Sequence, residues 1–169
     1  LLETQDFRQN WQRVQASNLP LALPGEGGFP ASGTCVVSNK NGLLLVGTGA
    51  SNNARLLIKH PKNELWQAKA TPMLKGEFAG ITSVQAQDSV CSITGGNLAD
   101  TNSQQNIFLS FNQGHSWQAT AVPPIKGAFY GSALGRWNEQ WVLAVCAPQG
   151  AALSFDLGKT WQIISTKNI

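Results

Sequence analysis

A single tyrosine, four arginines and nine carboxylates are the side chains with which this chain could do polar chemistry. One hydrolytic set would combine an arginine cluster to grip a substrate carboxylate, a tyrosine nucleophile partnered by glutamate, and an acid. Tyr130 would have to be that nucleophile. Arg8 falls in a turn on the side opposite Tyr130 and Arg13 on an outer strand, so neither joins Arg55 and Arg136 in one pocket. No Glu is spaced to activate Tyr130 through a shared strand. His60 and His115 both fall in turns remote from Tyr130, and a metal needs more converging ligands than they offer. No GxGxxG run opens a helix, so no dinucleotide cofactor is expected. These residues point away from catalysis and toward binding.

The elements that must position them are read from two repeated strings. The first ends in tryptophan. Ser154-Phe155-Asp156-Leu157-Gly158-Lys159-Thr160-Trp161 is the clearest copy, and Ser110-Phe111-Asn112-Gln113-Gly114-His115-Ser116-Trp117 keeps its frame with Asn in place of Asp. A third copy runs from Thr4 through Asp6 to Trp11, with Arg8 at the glycine position. The stretch from Lys59 to Trp66 keeps little beyond its tryptophan. The second string is Gly27-Gly28-Phe29, Gly76-Glu77-Phe78 and Gly127-Ala128-Phe129. A period of 44 to 55 residues between tryptophans signals a stacked or circular repeat architecture.

Each unit reads as four short strands between Gly- and Asn-rich turns. First strands are expected at 31–37, 79–86 and 130–134, and second strands at 42–47, 89–94 and 140–147. Third strands follow at 54–59, 106–111 and 151–155, and fourth strands begin at Trp66, Trp117 and Trp161. Four antiparallel strands per unit predict an all-β fold made of β-propeller blades. The chain then divides into 1–15, the end of a preceding blade, and three blades at 29–68, 78–121 and 129–165. Three blades and a leftover strand do not close a ring. The expectation is a partial ring, completed by further blades or by self-association with another copy.

In the repeated turn, the Asp156 carboxylate is placed to accept backbone N–H groups of its own hairpin. Gly158 supplies a positive φ, and Trp161 covers the turn while its indole N–H reaches a polar partner. Asn112 can substitute because its side-chain carbonyl also accepts. Thr4, Asp6, Trp11, Trp66, Ser110, Gly114, Trp117, Ser154 and Thr160 are therefore read as structural. The turns resemble the Asp-box, or BNR, repeat. Within that group, several strings resemble bacterial relatives of the photosystem II stability and assembly factor. They are 25–34, Gly47-Thr48-Gly49 with Ala54-Arg55, and Ala79-Gly80-Ile81-Thr82-Ser83-Val84 with Gly95-Gly96. The resemblance implies a seven-bladed propeller and an assembly-factor role. Sialidases also carry Asp boxes, so a sialidase-like glycoside hydrolase, its site completed by missing blades, is the alternative.

In such a fold the loops 16–28, 69–77 and 120–127 leave on one side, together with 48–53, 95–105 and 148–150. They gather Glu26, Arg55, Lys75, Glu77, Asp100, Lys126 and Tyr130 near one rim, the default place for binding on a rigid scaffold. Arg55, Lys75 and Lys126 are the expected contacts for a protein or peptide partner, with Tyr130 as a flat anchor. A net charge of +3, spread as isolated Lys and Arg, excludes a phosphate-tracking surface and so nucleic acid. No apolar run reaches membrane-spanning length, and the first residues lack a signal-peptide pattern. Cys35, Cys91 and Cys146 read as small buried hydrophobes, with a bridge between two of them as the alternative. Cysteine usage leaves the compartment open, with an extracytoplasmic setting favoured.

Overall fold

The computed structural model describes residues 1–6, 9–29 and 33–166; Arg8 and the start of the strand expected at 31–37 lie outside them. The chain is all-β, built from several antiparallel sheets. The described residues contain fifteen strands and one short 3-10 turn at Ala16–Asn18. Strands β1 (Leu2–Glu3) and β2 (Gln12–Arg13) form a small two-stranded pair.

The first four-stranded sheet has the order β3 (Val36–Ser38), β4 (Leu44–Gly47), β6 (Arg55–Lys59) and β7 (Trp66–Ala70). The second runs β8 (Gly76–Gln87), β9 (Val90–Asn97), β10 (Ile107–Ser110) and β11 (Gln118–Ala119). The third runs β12 (Gly131–Trp137), β13 (Gln140–Ala147), β14 (Gly150–Ser154) and β15 (Gln162–Ser165). Within each sheet neighbouring strands are antiparallel and, β4 and β6 apart, consecutive, as short hairpin turns require.

One strand departs from the expected plan. Residues Gly49–Ser51, read from sequence as loop, form β5 and pair with β8 of the second sheet rather than with their own. Two glycines permit this crossing. A side chain on Gly49 would run into Gly80 and the Phe29 ring, and one on Gly80 would meet Gly49 and the same ring.

The sheets stack through two apolar layers. Between the first and second lie Leu45, Leu56 and Ile58 against Ile81, Val84, Ile93 and Phe108. Between the second and third lie Ile107 and Leu109 against Leu143, Val145, Ala152 and Phe129. Strand alternation feeds both layers from the second sheet: Ile107 and Leu109 face one way and Phe108 the other. All three cysteines are free, and burial pushes the Cys91 thiol up to about 11.

The first strands of the second and third sheets, and the segment leading into β3, are also tied laterally. Val84 donates its N–H to the Thr34 carbonyl at 2.9 Å. Thr34, Ser83 and Ser132, each 49 residues from the next, link hydroxyl to hydroxyl at 2.7 and 2.9 Å. Ser83 Oγ also accepts the Ser132 N–H at 3.1 Å.

Candidate functional site

Two kinds of polar constellation recur, one in the tryptophan-ending turns and one beneath the segment 19–28. In the turn at 154–161, Leu157 and Gly158 both take positive φ, 57° and 77°. This reversal aims the N–H groups of Lys159 and Thr160 at Asp156 Oδ1, at 3.1 and 2.9 Å. Ser154 Oγ donates to the same oxygen at 2.8 Å and accepts the Gly158 N–H at 2.7 Å. Thr160 Oγ1 donates to Asp156 Oδ2 at 2.6 Å. The bonds from Thr160, then those from Ser154 and Lys159, hold the half-buried Asp156 carboxyl at about 2. The Trp161 indole N–H reaches the Ala121 carbonyl at 2.9 Å, across to the preceding sheet.

The turn at 110–117 repeats that backbone, with Gln113 at φ 58° and Gly114 at φ 86°. Ser110 Oγ and the Ser116 N–H both donate to Asn112 Oδ1 at 2.9 Å. The last bond is reversed: Asn112 Nδ2 donates to Ser116 Oγ at 2.9 Å. The Trp117 indole packs on the layer between the first two sheets, and its N–H is buried with no hydrogen-bond partner among the described residues. His115 is exposed, and its Nδ1 sits 2.7 Å from the Asn112 carbonyl.

The earlier copy works the same way. Asp6 accepts the Asn10 N–H at 2.9 Å, the Asn10 side-chain amide at 2.6 Å and the Thr4 hydroxyl at 2.8 Å. The Asn10 bonds, backbone first, pull its carboxyl to about 2. Trp11, by contrast, is 57% exposed. The Lys59–Trp66 copy keeps only a minimal turn, in which Asn63 Oδ1 accepts the Leu65 N–H, and the Trp66 indole N–H is buried without a partner among the described residues.

The second constellation centres on Glu26 and Arg55. Arg55 opens β6, donates its N–H to Thr48 Oγ1 at 3.2 Å and accepts the Thr48 N–H on its carbonyl at 2.9 Å. Segment 19–28 folds back over the first sheet because Gly25 takes φ 75° and the Glu26 N–H closes a turn on the Leu23 carbonyl. Ser51 Oγ holds the Pro24 carbonyl at 2.9 Å, and Gly27 exchanges both backbone hydrogen bonds with Gly49. Glu26 thereby meets Arg55 in a two-pronged ion pair, Nε to Oε1 at 2.8 Å and Nη2 to Oε2. Thr48 Oγ1 adds a bond to Oε1 at 2.7 Å and the Leu23 N–H one to Oε2 at 2.9 Å. Arg55 Nη2 also donates to the Leu21 carbonyl at 3.0 Å.

The two side chains are 5% and 14% exposed, respectively, so this is a nearly buried pair. Burial alone would raise the Glu26 carboxyl. The bonds from Arg55, Leu23 and Thr48, with the Arg55 charge, outweigh it and keep its pKa below the ordinary value.

The remaining rim residues are placed differently. Lys75 and Glu77 flank Gly76, which pairs with Ser51, and both are exposed. Lys126 is exposed beside Gly127, whose N–H and carbonyl are held by Ser103 and Asn106. Tyr130 is half-buried and donates its N–H to the Cys146 carbonyl. Asp100 accepts the Asn102 N–H at 2.9 Å within its own loop.

Glu26 and Arg55, both read from sequence as partner contacts, are paired with each other, and the sequence signals for the strap that joins them were Pro20, Pro24 and Gly25 around a lone acid. The described arginines stay apart: Arg13 is on β2, Arg55 is under the strap 19–28, and Arg136 stacks 4.2 Å over Trp141. Among the described residues no three His, Cys, Asp or Glu side chains converge on one point. No helix of the described residues is long and apolar enough to cross a membrane. No family model matches the chain, and no curated protein matches it.

Proposed function

We propose that the chain is a section of an Asp-box β-propeller and serves as a non-catalytic scaffold that binds a protein or peptide segment through one rim. The observation that carries this reading is how its charges are spent. Asp6 and Asp156 are occupied by their own turns, and Glu26 and Arg55 by each other. Lys75 and Lys126 are exposed and make no hydrogen bond or ion pair among the described residues. They stand on loops anchored to stacked sheets, where steering charges cost little to hold ready. The resemblance to bacterial relatives of the photosystem II stability and assembly factor gives the role its form, holding a partner segment while a complex is assembled.

The test is capture of a partner from the native cell extract by the immobilised chain. Lys75→Glu with Lys126→Glu should abolish the capture, and rising salt should weaken it in the parent chain. Asp156→Asn, remote from the rim, should leave it intact. Equal capture by the double variant and the parent would end the proposal.

A further inference from the structure

Towards the last strands of the second and third sheets, a wedge of about 470 Å³ opens between them. Phe111, just past β10, lines it from the second sheet, and Trp141 of β13 lines it from the third. Phe111 is 46% exposed and Trp141 half-buried, so two aromatic side chains are presented to the opening. A further sheet, or a second copy, stacked on this series would cover the outward face of the first or the third sheet. The wedge lies between two sheets already packed together and would stay open.

The hydrogen-bonding groups of the wall set the chemistry of the occupant. Its carboxylate and two of its carbonyls are spent. Asp156 takes the bonds of its own turn, from Ser154, Lys159 and Thr160. The Ala121 carbonyl takes the Trp161 indole N–H and the Thr120 hydroxyl, each at 2.9 Å, and the Gly158 carbonyl takes the Ala121 N–H at 2.8 Å. The side chains still open are donors: the Trp141 indole N–H, the Lys159 ammonium and the Gln118 amide make no hydrogen bond among the described residues. Charge narrows the choice further. Arg136 stacked over Trp141, with Lys159 on the wall, disfavours a cation, and the Asp156 carboxylate disfavours an anion.

The wall therefore suits a neutral segment that brings apolar rings and carbonyl acceptors but few N–H donors. Proline has that profile, since its ring is apolar and its nitrogen carries no hydrogen. A saccharide fits less well, because each buried hydroxyl brings a proton that needs an acceptor. We infer that the wedge is a docking groove for a proline-rich peptide segment in the polyproline II conformation. Its rings pack on Phe111 and Trp141, and one of its carbonyls accepts from the Trp141 indole. The groove is separate from the loops that carry Lys75 and Lys126, and the inference goes beyond the reading of that rim.

The indole N–H signals of the whole isotope-labelled chain report occupancy by nuclear magnetic resonance, the Trp141 signal being identified by its loss in Trp141→Phe. Acetyl-hexaproline-amide should shift the Trp141 signal and leave that of Trp137, 65% exposed at the end of β12, in place. Acetyl-Gly-Ser-Gly-Ser-Gly-Ser-amide and maltohexaose should move neither. Phe111→Ala, a truncation at an exposed site, should weaken hexaproline binding several-fold by titration calorimetry while near-ultraviolet circular dichroism shows the fold intact. Trp141→Phe, which keeps a ring and loses the donor, should weaken it less. No Trp141 shift with hexaproline, or an equal shift with the glycine–serine peptide or with maltohexaose, would overturn the inference. So would a Trp141 shift that grows with protein concentration alone, since a second copy would then be the occupant. Lys75→Glu with Lys126→Glu should bind hexaproline as tightly as the parent. A loss there would move the site to the rim and sink the inference, whereas failure of partner capture with hexaproline still bound would end only the rim reading.

Discussion

The turns at 110–117 and 154–161 have one backbone and differ in one functional group, an amide against a carboxylate. Both place residues of positive φ at the same two positions, and both collect a serine hydroxyl and a backbone N–H on a single side-chain oxygen. The bond to the hydroxyl just before the tryptophan differs in direction. Thr160 gives its proton to Asp156, whereas Ser116 receives one from Asn112. The geometry is therefore set by the backbone reversal, and the side chain only has to fill it with a matching set of donors and acceptors. What the carboxylate adds is a dependence on pH.

The strongest way to break the equivalence is to crowd the reversal. An alanine methyl at 158 would strike the Thr120 side chain, while one at 114 would meet the end of Leu56 at 3.1 Å, which can move aside. Both substitutions also force a positive φ on a residue that resists it. Gly158→Ala should cost about 3 kcal/mol and Gly114→Ala about 1–2 kcal/mol in urea unfolding. Equal losses would mean that backbone strain alone decides, without the neighbour.

The tryptophans separate the turns next. Trp161→Phe removes a hydrogen bond to the Ala121 carbonyl and should lower stability by about 1 kcal/mol. Trp117→Phe removes an indole N–H that is buried without a partner among the described residues, so its cost should be near zero or slightly favourable. Thermal unfolding of the two variants side by side checks the contrast.

The smallest effect is the most diagnostic. The Asp156 carboxyl is held at about 2 against an ordinary 3.8, so it stabilises the fold fully above the ordinary value. That contribution is lost as pH falls through the lower one. Asp156→Asn converts the turn to the chemistry of 110–117 and should flatten this part of the acid melting curve between about pH 4 and pH 2. Asp6, held at a similar value, together with Glu26 and the Lys40-paired Asp88, both held below their ordinary values, should account for the acid sensitivity that remains. An unchanged acid limb in Asp156→Asn would remove the distinction drawn between the turns.

The sheet plan was legible because it is periodic. The strand expected at 140–147 is β13 with the same bounds, and the second and third strands of every sheet fall within a few residues of their expected places. Strand β5 was not legible, since Gly49-Ala50-Ser51 has no alternation and earns its strand geometry from a partner in another sheet. Leu157 gave no hint of positive φ, because nothing in a leucine favours it and only the fixed turn imposes it. The Glu26–Arg55 pair was beyond sequence reasoning for a different cause. It joins residues 29 apart in the chain, through a strap whose path depends on Gly27 finding Gly49. Repetition also has limits: Phe129 is buried while Phe78, in the same motif, is 55% exposed.

The hydroxyl thread Thr34–Ser83–Ser132 bears on mechanics. Ser83 accepts from Thr34 and from the Ser132 N–H, so its own proton is committed to Ser132, and the thread has a direction. It ties β8 and β12 to each other and to the segment that leads into β3. Towards their last strands the second and third sheets are parted by a wedge of about 470 Å³ lined by Phe111, Trp141 and Phe155. Torque applied across the chain would meet a stiff seam on one side and a compliant gap on the other. The sheets would then splay like a fan about that seam, and a partner gripping the loops could feel the angle between them.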